Sequence, residues 1–338
     1  KQPDYIEFIQ RAQYWKNVYN NQSGFMQPRV NGGWFAPFDP AEANSTGGNA
    51  WQNVFSVPQD EETLIADMGG KDKFETKLDE LFTTTSKLGG QQTGQVGQYV
   101  QGNASDQHVP YLYSFTDDPT KTQLYLNKIM KDGYNDTATG LPGNDAGGQL
   151  SAWYVMNALG IYSVAPGQQQ FYIGLPQFDK AVITLENGKK FTVTNTAVSQ
   201  NNIYLQGMTL EKKPYNKLYL NYDDINNGGN FEYYAGRLPN RLFMQDLEKP
   251  ASKITDNLIV ANPYFVYPST TFRNSISLEI KSLDAGAKIY YTLDGSAPSA
   301  SSKLYNGPIT ISATTIIKAI ALKYGRQSFV NEGRFVKE

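Results

Sequence analysis

The 338-residue chain contains no cysteine, which excludes disulfides, Cys-ligated zinc and thiol nucleophiles. It has a single histidine, His108. That leaves almost no room for a His-based triad and none for a His-rich metal site, so any hydrolytic chemistry has to run on carboxylates. An excess of either charge is also missing: 30 Lys and Arg face 32 Asp and Glu, a formal net charge of −2. The basic residues are scattered, so no field exists to hold a phosphate backbone, and nucleic acid is excluded as a partner. No apolar run approaches the roughly 20 residues of a membrane-spanning helix. No charged-then-apolar leader opens the chain either. The sequence enters a helical pattern at once and lacks an initiator Met, which reads as a mature or truncated chain.

What is plentiful is aromatic and amide chemistry. The chain has 23 Tyr, 17 Phe and 4 Trp within a hydrophobic fraction of 40%, enough to fill the cores of two or three domains. Such rings either pack in cores or stack on sugar faces.

The texture changes along the chain. Up to about residue 160 the periodicity is helical: Phe8, Ala12, Trp15 and Tyr19 fall on one face of an opening helix, then Leu64, Ile65 and Met68, then Phe74, Leu78 and Leu81. "DDPTKTQLYLNKIMKDGY" reads as a helix opened by Asp-Pro and closed by Gly133. "GGQLSAWYVMNALGIY" is the most apolar helix and is expected to be the most buried. Past Pro166 the pattern alternates, with an Asn187-Gly188 hairpin signal, and predicts an antiparallel β region. Some seven short strands follow from about Leu258 and predict a small sandwich. The fold class is therefore α+β and multidomain, with a helical portion over 1–165, a β region over 166–248 and a sandwich over 257–338.

Three polar loops join the helices: Thr46 to Asp60, Gln98 to Phe115 and Gly140 to Tyr154. The first holds "GNAWQNVFSVPQD", the second "VPYLYSF", and the third "PGNDAGGQLSAWYVMNALGIYSVAPG", followed by "YIGLPQFDKAVITLENGKKF". Over these stretches, and over "NGGWFAPFDP", the chain resembles the C-terminal half of glycoside hydrolase family 92, the calcium-dependent exo-α-mannosidases. Similarly, "IYYTLDGSAPS", "LYNGPITI" and "IIKAIAL" resemble the immunoglobulin-like module at the C-terminus of chitobiase-type glycosidases, usually an accessory unit. The resemblance implies part of an (α/α)6 helical barrel, an antiparallel β region and an immunoglobulin-like β-sandwich. It further implies a secreted, periplasmic or cell-surface protein of a Bacteroidetes-type bacterium.

The family's chemistry needs a carboxylic acid to protonate the leaving oxygen and a carboxylate to activate water, about 6.5–9.5 Å apart. The resemblance places the acid at Gly47 and the base at Ala146, so both carboxyls are expected to be missing. Asp145 is the one retained acidic candidate. Asn49, Trp51, Gln52, Asn103, Tyr111, Asn144 and Trp153 are the candidate sugar-binding residues, although Asn49, Gln52 and Asn144 also suit helix caps and the tryptophans also suit a core. Gln107, His108 and Asp145, with Asp106 nearby, are what remains of a calcium site, expected to be weakened or lost. The expectation is thus an inactive mannosidase-like protein that binds an α-mannoside-containing glycan or serves as a scaffold, with another chain possible as the complement of its half barrel. Two alternatives stay open. A working mannosidase would recruit Asp145 and an acid such as Glu42, and a purely structural protein would have its cleft occluded.

Overall fold

The computed structural model describes residues 2–42, 48–85 and 94–338. The chain divides into two compact units: the residues up to Pro40 together with Ile254–Glu338, and Ala41–Lys253. The opening segment, expected to continue into the helical portion, thus belongs to the same unit as the C-terminal strands.

Helix α1 (Gln2–Arg11) stops before the expected apolar face is complete. A 3-10 turn follows at Tyr14–Asn17, and Tyr19–Asn20 pairs with Phe25–Met26 as a short hairpin. Phe8 is 62% exposed while Trp15 and Tyr19 are buried. The cause is Gln13, which is fully buried. Its Nε2 donates to the carbonyls of Ile9 and Asn257 at 3.0 and 3.1 Å, and its Oε1 accepts from the amide of Ile259. Contacts with a segment 244 residues away override the local helical period.

The strand Gly33–Trp34 then pairs in parallel with Tyr264–Val266, placing Gly33 opposite Phe265. It thereby becomes the fourth strand of a sheet ordered Ile309–Ile311, Ile276–Lys281, Tyr264–Val266, Gly33–Trp34, Arg29–Val30. A second sheet is centred on Thr315–Lys323, flanked by Lys288–Thr292 and Asn331–Lys337. Phe265, Leu278 and Ile280 of the first sheet share one core with Tyr291, Ile317 and Phe335 of the second. Gly32, with φ +75, is fitted against this core: a Cβ built there would lie 2.5 Å from the Phe265 ring and 2.8 Å from the Glu332 carbonyl. Gly32→Ala therefore combines backbone strain of about 1–3 kcal/mol with a clash. A urea titration should show the unfolding free energy falling by at least that strain, whereas an unchanged value would mean the N-terminal strand is not docked as described.

The second unit carries the helices. Helix α2 (Ala50–Asn53), helix α3 (Glu61–Asp67) and helix α4 (Lys71–Thr83) bury Trp51, Leu64, Ile65, Phe74, Leu78 and Leu81, following the apolar spacing read from the sequence. Phe55 meets Phe74 edge-on at 5.6 Å. Helix α5 (Thr120–Gly133) starts directly after the Asp-Pro and ends at the glycine expected to close it. Lys121 ties α5 to α4 through Glu75 and Asp79 at 2.8 and 2.6 Å. Helix α6 (Gln149–Ala158) overturns one expectation. Its apolar residues are spread round the axis, yet it buries only Leu150, Trp153, Asn157 and Ala158, while Val155 is 56% exposed. An apolar composition without a single apolar stripe does not show which side of a helix has a neighbour.

The β region of this unit is a five-stranded sheet ordered Lys213–Pro214, Tyr204–Leu210, Gly229–Gly236, Lys190–Asn195, Lys180–Thr184. The Asn187-Gly188 hairpin forms between the last two strands in this order. The sheet is mixed rather than antiparallel throughout, because Lys190–Asn195 runs parallel to Gly229–Gly236 with Val193 opposite Phe231. Phe191, Val193, Leu205, Phe231 and Tyr233 form its buried face. Among the described residues no helix is long and apolar enough to cross a membrane.

Candidate functional site

The three polar loops do converge. Asn49 is the N-cap of α2: its Oδ1 accepts from the Gln52 amide while Gln52 Oε1 accepts from the Asn49 amide, a reciprocal capping box. The remaining amide hydrogens reach the second loop, Asn49 Nδ2 to Gln98 Oε1 at 2.9 Å and Gln52 Nε2 to the Gln98 carbonyl at 3.2 Å. Gly48, at φ +135, allows this approach, since a Cβ there would collide with the Gln52 amide and lie 3.2 Å from Asn103 Nδ2. The second and third loops touch through glycines as well: a Cβ on Gly143 would sit 3.3 Å from the Cα of Gly102. Trp153 closes the set by donating from Nε1 to the Gln107 carbonyl at 2.9 Å.

Most of the candidate sugar-binding side chains point inward. Asn49, Trp51, Gln52, Tyr111 and Trp153 are all buried, and the polar atoms of Asn49, Gln52, Tyr111 and Trp153 serve the fold. Tyr111 donates to Asn157 Oδ1 at 2.6 Å and stacks on Tyr162. The Trp153 ring stacks on Tyr134 at 5.8 Å, and the Trp51 ring lies 4.4 Å beneath Lys77 Nζ. Burial lowers the Lys77 pKa to about 8. Asn103 is half-buried, accepting from Ser105 through Oδ1, and Asn144 is exposed.

Asp145, at φ +49, is bound into the start of α6. Its Oδ1 accepts from the amides of Leu150 and Ser151 at 2.7 and 3.1 Å, and its Oδ2 accepts from Ser151 Oγ at 2.7 Å. The Ser151 hydroxyl, then the Ser151 amide, hold its pKa below the ordinary carboxylate value. Ala146 follows it on the surface with no polar side chain to offer. Gly47, the expected place of the acid, lies outside the described residues; Glu42 is exposed.

Gln107, His108 and Asp145 face separate partners. Gln107 Nε2 faces the Gln101 carbonyl, His108 Nε2 lies 2.8 Å from the Phe55 carbonyl, and the Asp145 oxygens are taken by α6. Calcium prefers six to eight converging oxygens, and these donors face different partners. Among the described residues no group of three or more His, Asp or Glu is placed to hold a metal ion.

The sequence reading missed a buried acidic pocket behind the loops. Glu61, at the first position of α3, is fully buried, and neither carboxyl oxygen has a hydrogen-bond partner. Its Oε1 lies 3.8 Å from His108 Nε2, beyond hydrogen-bond reach. Burial, with the neighbouring Asp60 charge second, raises its pKa well above the usual value. Burial likewise lowers His108 to about 4 and raises Asp106, whose Oδ2 accepts from the Val100 amide at 3.0 Å. Both shifts disfavour the charged forms, so burial works against an ion pair across this contact. Glu at a helix start ordinarily signals an exposed dipole partner, so nothing local announced the burial.

Comparison with known proteins settles the lineage. Residues 1–237 match the glycosyl hydrolase family 92 catalytic domain. The chain belongs to glycoside hydrolase family 92. Residues 267–331 of this family 92 protein match the chitobiase/beta-hexosaminidase C-terminal domain. It is similar to a solved family GH92 α-mannosidase from Bacteroides thetaiotaomicron, at 34% identity and a TM-score of 0.69, over 74% of this chain and 34% of that one. A family GH92 inverting mannosidase from the same organism is 31% identical with a TM-score of 0.67, over 75% and 36%. An uncharacterized secreted glycosidase of Arthroderma benhamiae is 28% identical over 263 residues, 69% of this chain and 32% of that protein. The family 92 chain thus spans about a third of the length of the relatives it matches.

Proposed function

We propose that this family 92 protein engages mannoside-containing glycans without hydrolysing them. The observation that carries the reading is the start of α6, where the retained Asp145 carboxylate is committed to three hydrogen bonds within its own chain. A side chain held this way, with a depressed pKa, is a weak base towards water. Ala146, where the family resemblance places the base, carries only a methyl group. The solved B. thetaiotaomicron α-mannosidase has been captured with mannoimidazole, which supports a mannoside as the ligand class for this lineage. On this reading the helices are part of a family-type helical barrel, the C-terminal sheets are an immunoglobulin-like accessory module, and the protein works outside the cell or at its surface. No step is assigned to calcium.

Asn103 and Asn144 are the candidates left with exposed surface, and they flank the close Gly102–Gly143 approach. On this reading they are the side chains that would meet sugar hydroxyls. Calorimetric titration of the full chain with methyl α-mannoside should give saturable binding that Asn103→Ala with Asn144→Ala weakens at least tenfold. Absence of saturable binding would favour the purely structural reading instead.

A further inference from the structure

Four Asn-Gly pairs occur in the chain, starting at Asn31, Asn187, Asn227 and Asn306. In such a pair the second residue has no side chain, and its backbone reaches angles closed to other residues. The glycine nitrogen can therefore approach the asparagine side-chain carbonyl carbon, unless the fold holds the two apart.

Three of the pairs are held. Asn31 Oδ1 accepts from the Arg334 amide at 2.6 Å, and its Nδ2 donates to the Arg334 carbonyl at 3.0 Å. Asn187 Nδ2 donates to the Asn226 carbonyl at 2.8 Å and its Oδ1 accepts from the Lys189 amide at 3.0 Å, while the Gly188 nitrogen donates to the Leu185 carbonyl at 2.9 Å. At Asn227 the attacking nitrogen is again engaged, with Gly228 donating to the Ile225 carbonyl at 2.9 Å.

Asn306 differs. It is exposed, and among the described residues no hydrogen bond holds its side chain or the Gly307 amide. The chain on either side is fixed, because the Tyr305 amide donates to the Ile289 carbonyl at 2.8 Å and Ile309 pairs with Leu278. The unheld pair thus sits between two anchors in the C-terminal strands.

We propose that Asn306 is a site of spontaneous deamidation in the folded protein. The Gly307 nitrogen bonds to Cγ of Asn306 and gives up its proton; the Cγ–Nδ2 bond breaks, and Nδ2 leaves with that proton as ammonia. Water then opens the cyclic imide at either of its two carbonyls, giving aspartate or isoaspartate. Both products place a carboxylate beside Ile309–Ile311, the strand at the end of its sheet, and isoaspartate also lengthens the backbone there by a methylene. This chemistry does not depend on the glycan reading.

The test incubates the full chain folded and, separately, unfolded in urea at mildly alkaline pH, and follows acid formation at each asparagine by peptide mass spectrometry. Unfolding releases all four pairs, so the unfolded chain supplies a reference rate for each. In the folded chain Asn306 should react within a few-fold of its reference, while Asn31, Asn187 and Asn227 fall at least about tenfold below theirs, the rate equivalent of about 1.4 kcal/mol of barrier. Gly307→Ala should slow the reaction at Asn306 by a similar factor; a Cβ there would meet nothing within 4 Å, so the fold is left intact. Protection of Asn306 equal to that of the other three pairs, faster reaction at one of them, or an unchanged rate in Gly307→Ala overturns the proposal.

Discussion

Raising the pH from about 6.5 to 8 will destabilise the Ala41–Lys253 unit, and Glu61→Gln will remove a large part of that loss. Glu61 and Asp106 both have folded pKa values above their unfolded values of 4.5 and 3.8. Each therefore contributes stability that is complete below its unfolded pKa and disappears as the pH rises towards its folded pKa. His108 works in the opposite sense: its folded pKa of about 4 lies below the unfolded 6.5. Its contribution is present above 6.5 and is lost as the pH falls towards 4. Below 6.5 the two effects oppose one another; above it the carboxyls dominate, with Lys77, whose folded pKa is about 8, opposing them only as the pH nears that value. While a carboxyl stays protonated in the fold, each pH unit costs about 1.4 kcal/mol per group. Urea midpoints measured at half-unit steps give the slope. Glu61→Gln keeps the shape and cannot ionise, so its slope above pH 6.5 should be shallower. An equal slope in both proteins would mean that Glu61 is ionised in the native state.

Trp153→Ala will cost about 3–5 kcal/mol, because the ring is 1% exposed, stacks on Tyr134 and donates to the Gln107 carbonyl. Trp153→Phe keeps an aromatic ring and loses the donor, so the penalty should fall towards the roughly 1 kcal/mol of a single hydrogen bond, plus a smaller packing term. The pair separates two roles for the residue. A subsite tryptophan stacked on sugar would be lost with little change in unfolding midpoint and a large change in glycan affinity. The geometry predicts the reverse, a stability defect that carries through Gln107 to the second loop.

The legible parts of this chain were those whose determinants lie close together in sequence. The spacing of Leu64, Ile65, Phe74, Leu78 and Leu81 placed α3 and α4, and an Asn-x-x-Gln spacing suited the cap that Asn49 and Gln52 make. The Asn187-Gly188 turn likewise marked its hairpin. Illegible features depended on distant partners. Nothing around Gln13 or Gly33 indicates that their partners are Asn257 and Phe265. The parallel pairing of Val193 with Phe231 joins strands separated by several others, so alternation alone could not set its direction.

For the site, motif reading located the three loops and the structure brought them together. It did not reveal which face of each loop was turned inward. The same amides and rings that suit a sugar also suit a buried network, and here Asn49, Gln52, Tyr111 and Trp153 spend their polar atoms on neighbours. Glu61 escaped notice because an acid at a helix start has an ordinary explanation on the surface.

The proposed function is that of a family 92 frame that has lost hydrolysis. Its most direct test is turnover of an aryl α-mannoside by the full chain at high protein concentration, followed by release of the aryl alcohol with calcium present and absent. Loss of one general acid or base typically lowers a rate by about 10²–10⁴, and two are in question. The expected result is no release above the uncatalysed rate under either condition. Turnover at the 1–10³ s⁻¹ typical of working enzymes would contradict the account and return Asp145 to the role of base.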